Sequence, residues 1–502
     1  MNKNSFTTGH TDQAPEPVFR GALACGGIRK CPTGVTGLDE ITGGGLPKGR
    51  PTLVCGAAGS GKTMLAMEFL VRGARQFNEP GVFVSFEERT SDLIENVSGL
   101  GFDLQTMIDD KLIHIDYVHI DRDQIEETGA YDLEGLFVRL NHAVQSVGAR
   151  RVVLDTIETL FSGLSDSGIL RAEINRLFRW LKDQGLTAVV TAERGHEDSL
   201  TRHGLEEYIS DCVIALDHRI HEQVSTRRLR VVKYRGTAHG TNEYPFLIDA
   251  QGLSVMPVTS MGLDHVTSDE RVSTGVPGLD DMLEGRGYYH GSSILISGPP
   301  GTGKTTFAAS FLQAVCARGD RAMYFAFEES PNQILRNMKA VGIDLQQWLD
   351  RDLLEFHATR PTLYGTEMHL MTMHRMIDQF RPQAVVIDPI SNLETAGTQL
   401  AARVTLLLLI DFLKKLGITA LCTNLAHAGS ATEHTESQVS SMMDTWIQLR
   451  AVERAGERTR NLYVIKSRGM AHSNQICEFT FSVEGVNIIR PHAKAPVRQR
   501  EQ

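Results

Sequence analysis

Short apolar runs alternate with helical patterns along the whole of this 502-residue chain. Residues 51–55 and 293–297 are apolar or small throughout, and each run leads through a glycine-rich segment into apolar positions at helical spacing, residues 64–74 and 306–317. Continuous apolar runs of this length are those of strands buried on both faces. The same pattern predicts strands over residues 82–88 and 323–329, Arg151–Asp155 and Ala384–Asp388, and residues 187–191 and 419–423. A strongly alternating strand then precedes Lys233 in the first half and Lys466 in the second. Strands alternating with helices imply parallel βαβ units, so each half is expected to be a three-layer α/β domain.

The pattern repeats. Pro32-Thr33-Gly34-Val35-Thr36-Gly37-Leu38-Asp39 and Ser273-Thr274-Gly275-Val276-Pro277-Gly278-Leu279-Asp280 lie about 241 residues apart, the spacing of the glycine-rich segments themselves, which marks a tandem duplication. The expected organisation is a disordered N-terminus at residues 1–19, a first domain at 20–256, an aperiodic linker at 257–270, a second domain at 271–490 and a frayed basic tail at 491–502. The first half also carries a longer polar loop at residues 121–132, read as mobile.

Composition narrows the function. With 41% hydrophobic and 22% charged residues the chain is an ordinary globular protein. Its 51 basic and 61 acidic residues leave a net charge of −10, which argues against nucleic acid or an anionic membrane as partner. The 7 cysteines are scattered, and the closest pair, Cys25 and Cys31, lacks zinc-ligand spacing, so buried reduced thiols are expected. No apolar leader or membrane span is visible, and a cytoplasmic location is expected.

The glycine-rich segments carry the chemistry. Gly56-Ala57-Ala58-Gly59-Ser60-Gly61-Lys62-Thr63 and Gly298-Pro299-Pro300-Gly301-Thr302-Gly303-Lys304-Thr305, with Thr306 following, are full phosphate-binding loops between a strand and a helix. Glycines let backbone N–H groups turn toward the phosphates, the helix N-terminus adds its dipole, and Lys62 or Lys304 reaches the outer phosphates. Thr63 and Thr305 are placed to hold Mg²⁺, with Asp155 and Asp388 at the ends of buried strands behind them. The next strand of each half ends in paired acids, Glu87-Glu88 and Glu328-Glu329. One acid of each pair is expected to orient and deprotonate the nucleophile, the alternative being a solvated strand end. Lys233-Tyr234-Arg235-Gly236-Thr237-Ala238-His239 and Lys466-Ser467-Arg468-Gly469-Met470-Ala471-His472 recur at identical internal spacing. Lys233, Arg235, Thr237 and His239, with Lys466, Arg468 and His472, are read as groups that one subunit supplies to its neighbour's γ-phosphate in a ring. Arg171, Arg176, Arg179 and Lys182 are read as a solvated helix face.

These motifs, with Thr42-Gly43-Gly44-Gly45-Leu46-Pro47-Lys48-Gly49-Arg50, resemble the KaiC family over residues 20–490. That family comprises the double RecA-like ATPases of the cyanobacterial circadian clock and their bacterial homologues. The resemblance implies two tandem RecA-like P-loop domains, ATP and Mg²⁺ as cofactors, and a double-ring homohexamer with ATP between subunits. It further implies slow ATP hydrolysis in the first half and autophosphorylation in the second, falling on Ser440 and Ser441, with Glu328 as base and among the metal-side oxygens. A KaiB-like or other signalling partner is implied as well. The chain departs from the family at Pro389, where a small hydroxyl residue is usual, and at Leu283-Glu284-Gly285-Arg286-Gly287, which lacks the three-glycine run. It stops soon after Val486-Asn487-Ile488-Ile489, so the long extension that engages the activator KaiA is not expected to act. Two other readings stand beside this one: a RecA-type DNA-dependent ATPase, and a signalling scaffold in which ATP is structural.

Overall fold

Apolar side chains dictate where the strands lie. In the computed structural model Pro51–Gly56 and Ser293–Gly298 are buried at every position, as a strand flanked by other strands and covered on both faces must be. The structure describes residues 27–119, 133–161, 167–195, 200–201, 209–221, 224–257, 267–363, 365–396, 398–426, 439–454 and 457–489. The N-terminus at 1–19, the polar loop at 121–132, most of the linker, the tail and Cys25 lie outside these residues.

The first half contributes β1 (Lys30–Cys31), β2 (Leu46–Pro47), β3 (Pro51–Gly56), β4 (Gly81–Ser85), β5 (Ile113–Tyr117), β6 (Arg151–Asp155), β7 (Thr187–Glu193), β8 (Cys212–His221), β9 (Val224–Tyr234), β10 (Glu243–Asp249) and β11 (Gly252–Val255). The second contributes β12 (Arg271–Val272), β13 (Tyr288–Tyr289), β14 (Ser293–Gly298), β15 (Ala322–Ala326), β16 (Leu354–Ala358), β17 (Ala384–Asp388), β18 (Thr419–Leu425), β19 (Thr445–Arg454), β20 (Glu457–Ser467), β21 (Cys477–Ser482) and β22 (Gly485–Ile489). Two nine-stranded sheets result, ordered β11-β10-β9-β8-β3-β7-β6-β4-β5 and β22-β21-β20-β19-β14-β18-β17-β15-β16. Strand for strand the topology is the same, as a duplication requires. From β8 to β5 every pairing is parallel, and β9, β10 and β11 add an antiparallel extension. The second sheet repeats this arrangement.

Helices cover both faces, giving each half the expected α/β architecture. The altered segment before the second loop keeps its turn through Glu284, which takes a left-handed φ of 60° where the first half has Gly43 at 66°. Asp280 binds Ser273 and Thr274 there much as Asp39 binds Thr33 and Gly34. The halves also touch. Leu247 and Met256 join the apolar cluster around Met371 and Leu370, while Arg228 pairs with Glu367 at 2.7 Å and Arg375 pairs with Asp249.

Candidate active site

At the carboxyl end of β3 the chain has no room for a side chain, since a Cβ on Gly56 would lie 2.6 Å from the Leu216 carbonyl oxygen. Gly298 meets Leu449 in the same way at 2.7 Å. Gly59 and Gly301 have φ of 72° and 74° and nothing above their Cα, which leaves the inside of each loop bare. Such a cradle of backbone N–H groups at a helix N-terminus fits a polyphosphate. Gly61 and Gly303, at φ of 101° and 102°, open the helices Lys62–Phe77 and Lys304–Ala317. Lys62 Nζ lies against the carbonyls of Gly56 (2.8 Å) and Ala57 (3.1 Å), and Lys304 Nζ against those of Gly298 (2.8 Å) and Pro299 (3.0 Å). Ser60 is fully buried in the first loop, Thr302 donates to the Pro299 carbonyl at 2.8 Å, and the Thr306 N–H closes on Gly303 at 3.0 Å. Burial lowers the Lys304 ammonium pKa, and the neighbouring Asp388 and Glu328 carboxylates oppose that shift.

Behind each loop stands its aspartate. Thr63 Oγ1 donates to Asp155 Oδ2 at 2.8 Å, and Thr305 Oγ1 donates to Asp388 Oδ2 at 2.8 Å. Thr191 holds the other oxygen of Asp155, and Thr423 that of Asp388. Burial pushes the Asp155 carboxyl pKa up, against the hydrogen bonds of Thr191 and Thr63. A hydroxyl and one carboxylate beside a phosphate cradle are the hard oxygen donors Mg²⁺ takes when most of its shell is phosphate and water. In both halves the peptide bond after the aspartate is cis, Asp155–Thr156 and Asp388–Pro389.

The members of each acid pair have different partners. Glu88 is held by Asn96 Nδ2 at 3.1 Å and Glu329 by Asn337 Nδ2 at 3.2 Å, both from the following helix. Glu87 and Glu328 are the exposed members of the two pairs. Glu87 is clasped by the hydroxyls of Thr156 (3.0 Å) and Thr159. Pro389 and Asn392 occupy the matching positions of the second half, and the Asn392 amide faces the Phe327 carbonyl at 3.4 Å.

The recurrent basic segments lie at the opposite end of the strands from each phosphate loop. Cys212 at the start of β8 is level with both Thr52 and Tyr234, so Arg235, Thr237 and His239 sit beyond the start of β3, at least ~13 Å of strand from Gly56. Lys233 is the last residue but one of β9. Thr445, level with Ile294 and Ser467, sets the same separation for Lys466, Arg468 and His472. Ser440 and Ser441 close a single turn just ahead of β19 at this same end, and Arg468 Nη2 donates to the Ser441 carbonyl at 2.7 Å. Burial and the nearby Arg468 cation lower the Lys466 pKa.

Sequence reasoning missed what anchors these segments. Asp211 pairs with Lys182 at 2.5 Å and Arg235 at 3.8 Å, and Asp444 pairs with Lys414 at 2.8 Å and Arg468 at 3.9 Å. The backbone N–H groups of Arg235 and Arg468 donate to the carbonyls of the same two aspartates, each at 2.9 Å. Lys182 is thus an anchor, a correction to its reading as part of a solvated face. The signal was present in the chain, because Lys182 and Asp211 recur as Lys414 and Asp444 at nearly the offset of the other motifs.

Cys31, Cys55, Cys212, Cys316, Cys422 and Cys477 are buried free thiols. Among the described residues no helix is long and apolar enough to cross a membrane. The sequence profile of the KaiC ATPase family matches residues 31–260 and again residues 272–493. The circadian clock protein KaiC2 of Synechocystis sp. is 55% identical over 465 residues, 92% of this chain and 82% of that protein. The circadian clock oscillator protein KaiC 1 of the same organism is 38% identical over 464 residues, 92% and 89% of the two chains. KaiC of Synechococcus elongatus is 38% identical over 463 residues, again 92% and 89%. With two matched units, two identical sheet topologies and two complete phosphate loops, the chain belongs to the KaiC family of ATPases.

Proposed function

We propose that this chain is a ring ATPase dependent on Mg²⁺ and ATP, whose first half hydrolyses ATP and whose second half transfers the γ-phosphoryl group to Ser440 or Ser441 of a neighbouring subunit. The observation that carries this reading is the placement of nucleophile and loop at opposite ends of the central strand β14. Ser441, bound by Arg468, lies where β14 begins, whereas Lys304 and Thr305 lie where it ends. A serine cannot reach the phosphates of its own loop across the sheet. It can meet those of a neighbour whose open loop faces it, which requires a closed ring with ATP between subunits.

Lys62 and Lys304 would neutralise the outer phosphates, and the backbone cradles would fix them in line for attack. Mg²⁺, held by the Thr63 or Thr305 hydroxyl with Asp155 or Asp388 behind it, would offset charge on the β- and γ-phosphates. In the first half Glu87, steadied by Thr156 and Thr159, orients a water molecule and takes its proton. In the second half Glu328 takes the serine hydroxyl proton. A bond then forms from the serine oxygen to the γ-phosphorus while the bond to ADP breaks. Lys233, Arg235, Thr237 and His239 would complete the neighbour's first site, and Lys466, Arg468 and His472 its second. A homohexamer and a KaiB-like partner fit the likeness to relatives named as clock proteins.

Incubating the pure protein with labelled ATP and Mg²⁺ and mapping the label tests the assignment. Label on Ser440 or Ser441, lost in Lys304→Ala, is the expected result. Hydrolysis with no labelled serine would remove the kinase half of the reading, and ATP retained without any turnover would favour a structural role for the nucleotide.

A further inference from the structure

Between the two sites the hydroxyls around the carboxylates are redistributed: two are lost beside the acid and one is gained at the aspartate. In the first half Glu87 accepts from Thr156 and Thr159, while Asp155 Oδ2 accepts from Thr63. In the second half Thr156 is replaced by Pro389, and Asp388 Oδ2 accepts from Tyr324 OH as well as from Thr305. Tyr324 is the third residue of β15, and Phe83 is the third residue of β4, so the two side chains occupy equivalent positions. Both are fully buried. Tyr324 stacks on Phe356 with ring centroids 4.9 Å apart, which fixes the ring and so the direction of its hydroxyl. Burial and the Asp388 carboxylate raise the Tyr324 pKa well above its usual value, so the hydroxyl keeps its proton as donor.

We propose that Tyr324 is a positioning residue of the second site: its hydroxyl locks the carboxylate of Asp388 behind Thr305 and so sets the affinity of that site for the nucleotide-bound divalent cation. The proposal rests on the reading of the second half as a Mg²⁺-ATP site. Asp388 has three side-chain donors, Thr305, Tyr324 and Thr423, against two for Asp155. A carboxylate held at three points does not turn when the metal shell forms. Groups behind a metal's own ligands commonly change affinity by about 10–100-fold when removed. The redistribution also suits the two nucleophiles. Water must be held in place, so the first half fixes its base, Glu87. A serine arrives already fixed on another subunit, so the second half can fix the metal side and leave Glu328 to meet the hydroxyl.

The test is a titration of the full chain with Mn²⁺ in the presence of a non-hydrolysable ATP analogue, followed by electron paramagnetic resonance. Two classes of site are expected in the unmutated protein. Tyr324→Phe installs the residue that position already carries in the first half. It is expected to weaken one class about tenfold or more while the other class stays put. Unchanged Mn²⁺ affinity in a folded Tyr324→Phe protein overturns the proposal. Phe83→Tyr tests it independently, also if Tyr324→Phe does not fold: the added hydroxyl is expected to tighten the other class, and no change in either class counts against the inference. Because cation binding is read without turnover, absence of serine labelling in the unmutated protein would sink the kinase reading and leave this result standing.

Discussion

The two halves share a sheet order, a phosphate loop and an aspartate behind it. They differ in what surrounds the carboxylates. Glu87 is bound by two threonine hydroxyls, whereas Pro389 and Asn392 stand at the positions of those threonines in the second half. Asp388 has a tyrosine hydroxyl that Asp155 lacks. The first half also buries a whole guanidinium: Arg151 at the start of β6 binds Glu79, the Phe69 carbonyl and the Pro32 carbonyl at 2.8–2.9 Å. Ala384 stands at that position in β17. The difference teaches that a duplicated fold preserves the phosphate loop and the aspartate behind it, while the side chains around those carboxylates diverge.

Removing the bases breaks this comparison most sharply. Glu87→Gln should lower phosphate release by ~10²–10⁴-fold and leave serine labelling, while Glu328→Gln should do the reverse. Both rates falling together in either variant would mean that the halves are not chemically separate. The next effect is on stability. Arg151→Met leaves Glu79 with Lys48 as its one cation and orphans the Phe69 and Pro32 carbonyls, and should destabilise the first half by ~1–3 kcal/mol, seen as an earlier melting step with no counterpart for changes at Ala384. Burial alone would raise the Glu79 pKa, but Arg151 and Lys48 hold it below the ordinary carboxylate range. A depressed folded pKa means that this stabilisation is present above the unfolded value of about 4.3. It should be lost from the first half as pH falls below that, and thermal melts across pH 5 to 3 would show it.

Smaller effects sharpen the comparison. Asp444→Asn frees Arg468 from its anchor and should reduce serine labelling by about tenfold with hydrolysis intact, a loss of ~1.4 kcal/mol, and Asp211→Asn should reduce hydrolysis instead. Glu88→Gln and Glu329→Gln should each change turnover by no more than about threefold, under ~1 kcal/mol, since those acids are bound to Asn96 and Asn337. A large loss on either change would return the catalytic assignment to the pair.

Much of this was legible in the chain. A buried strand, a loop of fixed glycine spacing and a helix are local, so β3, β14 and the loop helices follow from neighbouring residues, as do the aspartates closing β6 and β17. The choice between Glu87 and Glu88 was not legible, because it depends on Asn96 one helical segment later, whereas for the second half the family resemblance already implies Glu328. Nor was the tie between Tyr324 and Asp388, 64 residues apart and joined only when β15 and β17 pair. The anchoring of Arg468 by Asp444 likewise depends on β19 and β20 pairing, and the contact of Arg228 with Glu367 on the two halves meeting. Local pattern fixes elements and loops, whereas side-chain orientation at their ends is decided by partners the chain supplies later.

The claim that serine and loop meet only across a subunit boundary is tested most directly by mixed rings. A Lys304→Ala chain is combined with a chain carrying Ser440→Ala and Ser441→Ala, and label is followed on each. The geometry predicts label on the loop-defective chain, whose serines face an intact neighbouring loop. In unmixed controls, rings made of either chain alone should stay unlabelled. No label in mixed rings that do assemble, under conditions where the unmutated protein is labelled, would mean that transfer occurs within one chain and would contradict the placement of nucleophile and phosphate at opposite ends of β14.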